Sequence, residues 1–296
     1  MSVEVKATAQ PQTLAMEVER TRPPWWRRAL KSRNLVLGLI VILLVVGVGL
    51  LAPVLSSYDP FKPNYDDILR APSLTHPFGT DEFGRDVITR VLYGARIDVR
   101  VGVTAVISPF IIGIILGSLA AYYGGVLETI IMRILDIVQA FPFIVLIIAV
   151  VAILGPGLNN MYIAVAATAW VVYARLIRSE ILVQKEQEYV IAAKAMGASD
   201  RRVMLKHLLP NTITSSLVYS MADIALYILL AASLSFLGLG AKPPTPEWGA
   251  MITEGQSYMT TAWWMSALPG LAIVITGIGL SLVGDGLSDL LRPRGR

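Results

Sequence analysis

Cysteine is absent from the 296 residues, which excludes a disulfide framework, thiol chemistry and any cysteine-held metal. The two histidines, His76 and His207, lie too far apart for a His-rich centre. His76 has carboxylates nearby in sequence, but their scattered spacing reads as a solvated loop rather than a metal site. Charge is scarce too. Asp, Glu, Lys and Arg make up 16% of the chain, against about a quarter in soluble domains. There is no GxxxxGK[ST] phosphate loop, so the chain does not bind and hydrolyse ATP in that way. GxSxG, HExxH and catalytic carboxylates at a recognisable spacing are missing as well. No internal repeat is evident. These absences leave no catalytic constellation, and the chain is not expected to be an enzyme.

What the chain has is apolar length. Hydrophobic residues are 55% of it, and its mean hydropathy is +0.63. Segments 35–55, 99–123, 128–154, 161–183, 211–240 and 262–283 are each about long enough to cross a bilayer. The expected fold class is all-α, a polytopic membrane protein with six transmembrane helices. Residues 1–34 form an N-terminal tail, and its stretch RTRPPWWRRALKSRN sets basic residues around Trp25 and Trp26. That composition suits the headgroup zone and equally a plain basic flank of the first span. Residues 56–98 form a long connection, in which Val87 to Tyr93 reads as a short surface helix. Residues 99–291 form the core, and 292–296 a short tail. Basic clusters precede Leu35, follow the fourth span and close the chain. By the positive-inside rule they put both termini and loop 184–210 in the cytoplasm. The net charge of +4 is modest. It reflects such anchoring in a lipid bilayer, not nucleic-acid binding.

Within the spans, Pro142 interrupts the third and predicts a kink. Arg133 and Asp136 are three apart on that segment and can pair. Arg175 and Arg178 come late in the fourth, which is expected to run past the membrane with its arginines snorkelling. The segment 241–249, AKPPTPEWG, reads as a rigid external turn with Trp248 near the interface.

The polar stretch EYVIAAKAMGASDRRVMLKHLLPN, residues 188–211, interrupts this apolar pattern. It reads as two short helices with a hinge. Ala192, Ala193 and Ala195 favour the first helix. Gly197 sits where a left-handed cap would end it. Ser199 and Asp200 are placed to start the second, and Pro210 to stop it and open the next segment. Periodicity alone makes this a basic loop without a partner. Its small residues, however, would let another protein's surface approach closely.

The pattern AAxxxG, a spacer and HLLP resembles the EAA signature of ABC-importer permeases, and YVIAAKAMGAS…LPN is closest to the dipeptide, oligopeptide and nickel branch, C-type permease. Three more blocks agree: FGTDxxGRD from Phe78, LSFLGLGxxPPxPxWG up to Gly249, and the tail GDGLSDLLRPRGR. The resemblance covers roughly Leu74 to the C-terminus. It implies a type I ABC importer permease fold in a bacterial or archaeal plasma membrane, with the FGTDxxGRD connection outside. It implies a second permease subunit, ATP-binding cassette ATPase subunits and an external solute-binding protein. No cofactor is then expected on this chain, and ATP and Mg belong to the ATPase subunits. The coupling residues would be Ala192, Ala193, Gly197, Ala198, Ser199, Asp200, Arg201, Arg202, Leu205, Leu209 and Pro210. Dipeptides or oligopeptides are the implied cargo; nickel complexes, opines and oligosaccharides fit the same architecture. Two positions depart from the branch: Ile191 and Ala231 stand where glutamate is usual.

A self-sufficient secondary transporter is the competing class. It needs its own ion-coupling groups inside the spans, and Asp223 is the single mid-span carboxylate in view. A carboxylate at that depth faces protein or water rather than lipid. With Ser216 and Ser220 it is the candidate lining of the substrate pathway, and a helix-packing role is the alternative. If it stands in for the acid missing at Ala231, it favours substrates with a positive group.

Overall fold

The computed structural model describes residues 29–291. The expectations for the N-terminal tail before residue 29 and for residues 292–296 lie outside the described residues. All principal elements are helices: α1 Arg33–Leu55, α2 Val87–Tyr123, α3 Gly125–Gln139, α4 Phe143–Leu154, α5 Leu158–Lys185, α6 Glu188–Ala195, α7 Leu209–Phe236, α8 Trp248–Gly255 and α9 Trp264–Leu291. Five stretches are long and apolar enough to span a membrane, and the bent pair α3–α4 makes a sixth if it is one span. Leu43, Val54, Ile107, Ile153 and Ile278 are among the large apolar side chains that face outward, the surface a lipid solvent requires.

The α2–α5 crossing forms the centre. A Cβ on Gly113 or Gly117 would collide with Trp170, Tyr173 or Ala174 of α5. Glycine therefore lets the two backbones approach, as small residues do between membrane helices. Helix α7 packs along both α2 and α5, and α1 and α9 lie together at the side. The α3–α4 pair breaks at residues 140–142 and bends by 87°, where Pro142 withholds a backbone donor. Asp136 on α3 meets Arg175 of α5 at 3.4 Å rather than the expected Arg133. Arg178, expected to snorkel, binds Glu128 through Nε at 2.7 Å and so ties α5 to the start of α3.

Helix α2 begins at Val87, where residues up to 98 were expected to be a loop carrying only a short helix. Two features explain the earlier start. Asp86 caps the helix, accepting from Thr89 N at 2.9 Å and from Thr89 Oγ1 at 2.6 Å. Arg90 is buried but binds Glu254 at 2.9 Å, with Asp81 at 3.4 Å. Charge in the first turns thus finds partners and does not break the helix.

The connection ahead of α2 folds into a cap on this end of the bundle. His76 Nδ1 lies 2.9 Å from Asp86 Oδ1, and Trp264 Nε1 donates to the Thr80 carbonyl at 3.1 Å. Asp81, Glu82 and Glu254 bring oxygens within 4.8 Å of one another, with the guanidiniums of Arg85 and Arg90 as counter-charges among them. Burial raises the Glu82 and Glu254 carboxyls above their ordinary range. Arg85 and Arg90 are internal to the cap, so they are not the surface charges that a positive-inside count reads. Trp248 is also internal, not interfacial. It is fully buried, and its indole donates to the Val91 carbonyl at 3.0 Å. The turn that carries it leads directly into α8, a helix packed against α7 and α9.

Candidate functional site

At the opposite end of the bundle, α6 and the turn after it form a knob. Helix α6 ends in a paired cap: Ala198 N donates to Ala193 O at 3.1 Å, and Gly197 N to Lys194 O at 2.9 Å. Gly197 has φ +81°, the left-handed conformation this cap requires. A Cβ added there would meet nothing of this chain within 4 Å. Glycine is the residue this backbone favours, and the open side of its Cα faces away from the chain.

The second half departs from the expected pair of separate helices. Ser199 precedes the turn Asp200–Arg202, but its side chain makes no capping bond. Val203–Leu208 then winds as a π-helix and passes straight into α7. Pro210 therefore does not stop the helix. It sits in the first turn of α7, where a missing N–H is harmless, and the wider turn before it absorbs the mismatch.

An apolar cluster seats the knob. Val190, Val203 and Leu208 pack with Ile114 and Tyr122 of α2 and with Ile177 and Ile181 of α5. Polar bonds reinforce the seat. Tyr122 Oη donates to Asp200 Oδ1 at 2.5 Å, and Lys185 Nζ to the Tyr122 carbonyl at 2.9 Å. The Lys194 ammonium lies 5.0 Å from the Tyr122 ring centre. What remains outside is an apolar face with basic edges. Met196 is 82% exposed, Ile191 56% and Leu205 51%. Ala192, Arg201 and Arg202 are exposed beside them.

A cavity of about 390 Å³ lies at the α3–α4 bend, walled by α5 and α7. Phe141, Phe143, Tyr219 and Tyr227 line it together with Asp223. Asp223 is 5% exposed. Its Oδ2 accepts from Tyr173 Oη at 2.6 Å and from Tyr227 Oη at 3.2 Å.

The knob is thus seated on two long helices with an apolar face turned outward. Comparison with known proteins identifies the kind of machine. Residues 113–296 match the family described as binding-protein-dependent transport system inner membrane component. The chain belongs to this family. Residues 24–72 match the N-terminal TM domain of oligopeptide transport permease C. The dipeptide transport system permease protein DppC of Alkalihalophilus pseudofirmus is 40% identical over 97% of this chain and 96% of its own. The glutathione transport system permease protein GsiD of Pectobacterium atrosepticum is 43% identical over 92% of each chain. The GsiD of Escherichia coli O6:K15:H31 is 44% identical over 93% of this chain and 92% of its own. Among solved structures, an inward-facing form of the MetNI methionine ABC transporter aligns with TM-score 0.53 and 18% identity, over 69% of this chain and 97% of that one. That likeness establishes the shared fold.

The protein is therefore a non-catalytic permease subunit of an ABC importer, multi-pass in the membrane, working with ATPase and binding-protein partners. The structure divides its candidate coupling residues by burial. Ala192, Gly197, Ser199, Asp200, Arg201, Arg202, Leu205 and Pro210 are exposed, whereas Ala193 is buried and Ala198 and Leu209 are half-buried in the seat. Sequence reasoning missed Val190, Val203, Leu208 and Tyr122, which hold the knob. The pair Val203 and Leu208 was hidden because a five-residue spacing shares a face only in a π-turn. The pathway trio separates as well. Asp223 lines the cavity, but Ser216 and Ser220 do not. Ser220 Oγ donates back to the Leu217 carbonyl at 2.7 Å, and Ser216 Oγ is enclosed without a partner among the described residues. Ala231 is fully buried and does not line this cavity.

Proposed function

We propose that this permease carries small peptides into the cell, driven by ATPase subunits that dock on the knob. The observation that carries the docking reading is the knob itself: Met196, Ile191 and Leu205 are exposed around a glycine turn whose seat is otherwise tightly packed. An exposed apolar cluster beside a rigid seat is a usual signature of a contact surface. Its partner is an ATPase subunit, which holds the ATP and Mg. The relatives named for dipeptide and glutathione transport support a small peptide as cargo.

Leu35 packs against Gly286 near the ends of α1 and α9, and those ends share the knob's side of the bundle. Both termini are thus cytoplasmic in this reading, the cap at Thr80 and Trp264 is external, and the membrane is the bacterial or archaeal plasma membrane. A second permease chain completes the pathway. It covers exposed membrane faces beside the cavity, where Leu226 and Leu229 of α7 point outward. ATPase closure moves the knob, and the seat on α2 and α5 passes that motion to the helices.

Reconstitution tests this. Proteoliposomes holding this chain, a second permease, the ATPase subunits and the binding protein should take up Ala-Phe only with ATP. Omitting the second permease should abolish uptake. ATP-independent uptake, or full uptake with no second permease species, would overturn the scheme.

A further inference from the structure

The cavity at the α3–α4 bend has a chemical asymmetry that coupling does not use. Asp223 is 95% withdrawn from solvent by the complement of its 5% exposure. Both tyrosine hydroxyls are spent on Oδ2. Oδ1 accepts no hydrogen bond from the described residues. It is not sealed in, as Ser216 Oγ is, and its residue lines the cavity. One carboxylate oxygen is thus clamped, and the other is left free on a residue that lines the open space. No lysine or arginine lines that space. A carboxylate held in a membrane protein without a cation is costly, and a ligand that brings the cation removes that cost.

The walls specify the rest of the ligand. Phe141, Phe143 and Tyr219 offer aromatic faces, which attract ammonium groups and accept apolar side chains. Tyr219 is itself braced edge-on against Tyr173, with ring centres 5.7 Å apart. A volume of about 390 Å³ lies near the small end of ligand pockets. It suits a two- or three-residue peptide and not a long extended one.

We infer that this cavity binds the ammonium group of a primary amine, with Asp223 Oδ1 as its acceptor, and so reads the free amino terminus of a peptide in transit. The peptide half rests on the proposed function; the ammonium half stands on the cavity. Tyr173 and Tyr227 are positioning residues that aim the carboxylate.

The test uses the purified membrane complex without its binding protein, so that selection upstream plays no part. Thermal unfolding is followed against Ala-Phe, N-acetyl-Ala-Phe and phenethylamine. Ala-Phe and phenethylamine should raise Tm, and the acetylated peptide should not. Asp223→Asn should weaken the Ala-Phe response about tenfold or more, the usual scale for losing a charged hydrogen bond. Asp223→Glu should restore part of it. Equal responses to Ala-Phe and its acetylated form would overturn the site, and that comparison on the unaltered complex stands even if Asp223→Asn does not fold. A response to phenethylamine without one to Ala-Phe would support the ammonium site and reject the peptide reading. ATP-driven uptake of Ala-Phe with no amine response would reject the site and leave the proposed function intact.

Discussion

Replacing Gly197 by valine tests the coupling geometry most directly. Its φ of +81° closes the two cap bonds at the end of α6. A side chain in the left-handed region costs about 1–2 kcal/mol, and a β-branched one more. That range corresponds to a roughly five- to thirtyfold smaller population of the formed turn. Nothing in the chain lies within 4 Å of the added Cβ, so intramolecular collision contributes nothing further. Loss beyond the backbone term is expected to arise at the proposed ATPase surface. Gly197→Asn separates the two, because asparagine tolerates this conformation while carrying similar bulk. The assay is peptide taken up per ATP hydrolysed by the reconstituted importer, alongside co-purification of the ATPase. Gly197→Val should cut uptake about tenfold or more while the chain still reaches the membrane. Gly197→Asn should show the steric part alone. Wild-type uptake with valine would refute both the role of the turn and the docking of its open face.

Tyr122→Phe removes the bond to Asp200 without altering the packed ring, and should loosen the knob by about 1 kcal/mol. Faster proteolysis within 186–202 and less uptake per ATP are expected; an unchanged cleavage pattern would show that the apolar seat alone suffices. Ser216→Ala deletes an enclosed hydroxyl that has no partner among the described residues. It should leave uptake unchanged and stability equal or slightly higher, and a transport defect would return Ser216 to the pathway. A cysteine at Lys242, in the exposed turn before α8, should react with an impermeant reagent from outside, and one at Ser199 should not. External labelling of Ser199 would invert the topology and remove the coupling scheme.

The knob's outline was legible because it rests on local chemistry. A left-handed cap favours glycine wherever it occurs, so Gly197 could be placed from its neighbours alone. The break at Pro142 was legible for the same reason, since a missing N–H interrupts any helix. The start of α2 was not. Arg90 and Asp98 read as part of an aqueous segment until their partners are known. Glu254 lies 164 residues from Arg90 in sequence, and Trp248, whose N–H donates to Asp98 at 3.1 Å, lies 150 away. Trp248 misled in the opposite sense, because an amphipathic ring is equally suited to an interface and to a core that accepts its N–H.

What this sequence determines by itself is a helical membrane chain with its six apolar segments, its bend and the turn at Gly197. Hydropathy and backbone stereochemistry act within a few residues and need no fold. The tertiary structure decided which polar groups are turned inward and what they meet. Ser216, Ser220 and Asp223 fall on neighbouring faces of one helix, yet only Asp223 reaches the cavity. That outcome depends on where the α3–α4 bend leaves space and on two tyrosines brought against the same carboxylate. One of them, Tyr173, stands 50 residues away in sequence. Packing across distant segments makes that choice, and no local pattern records it.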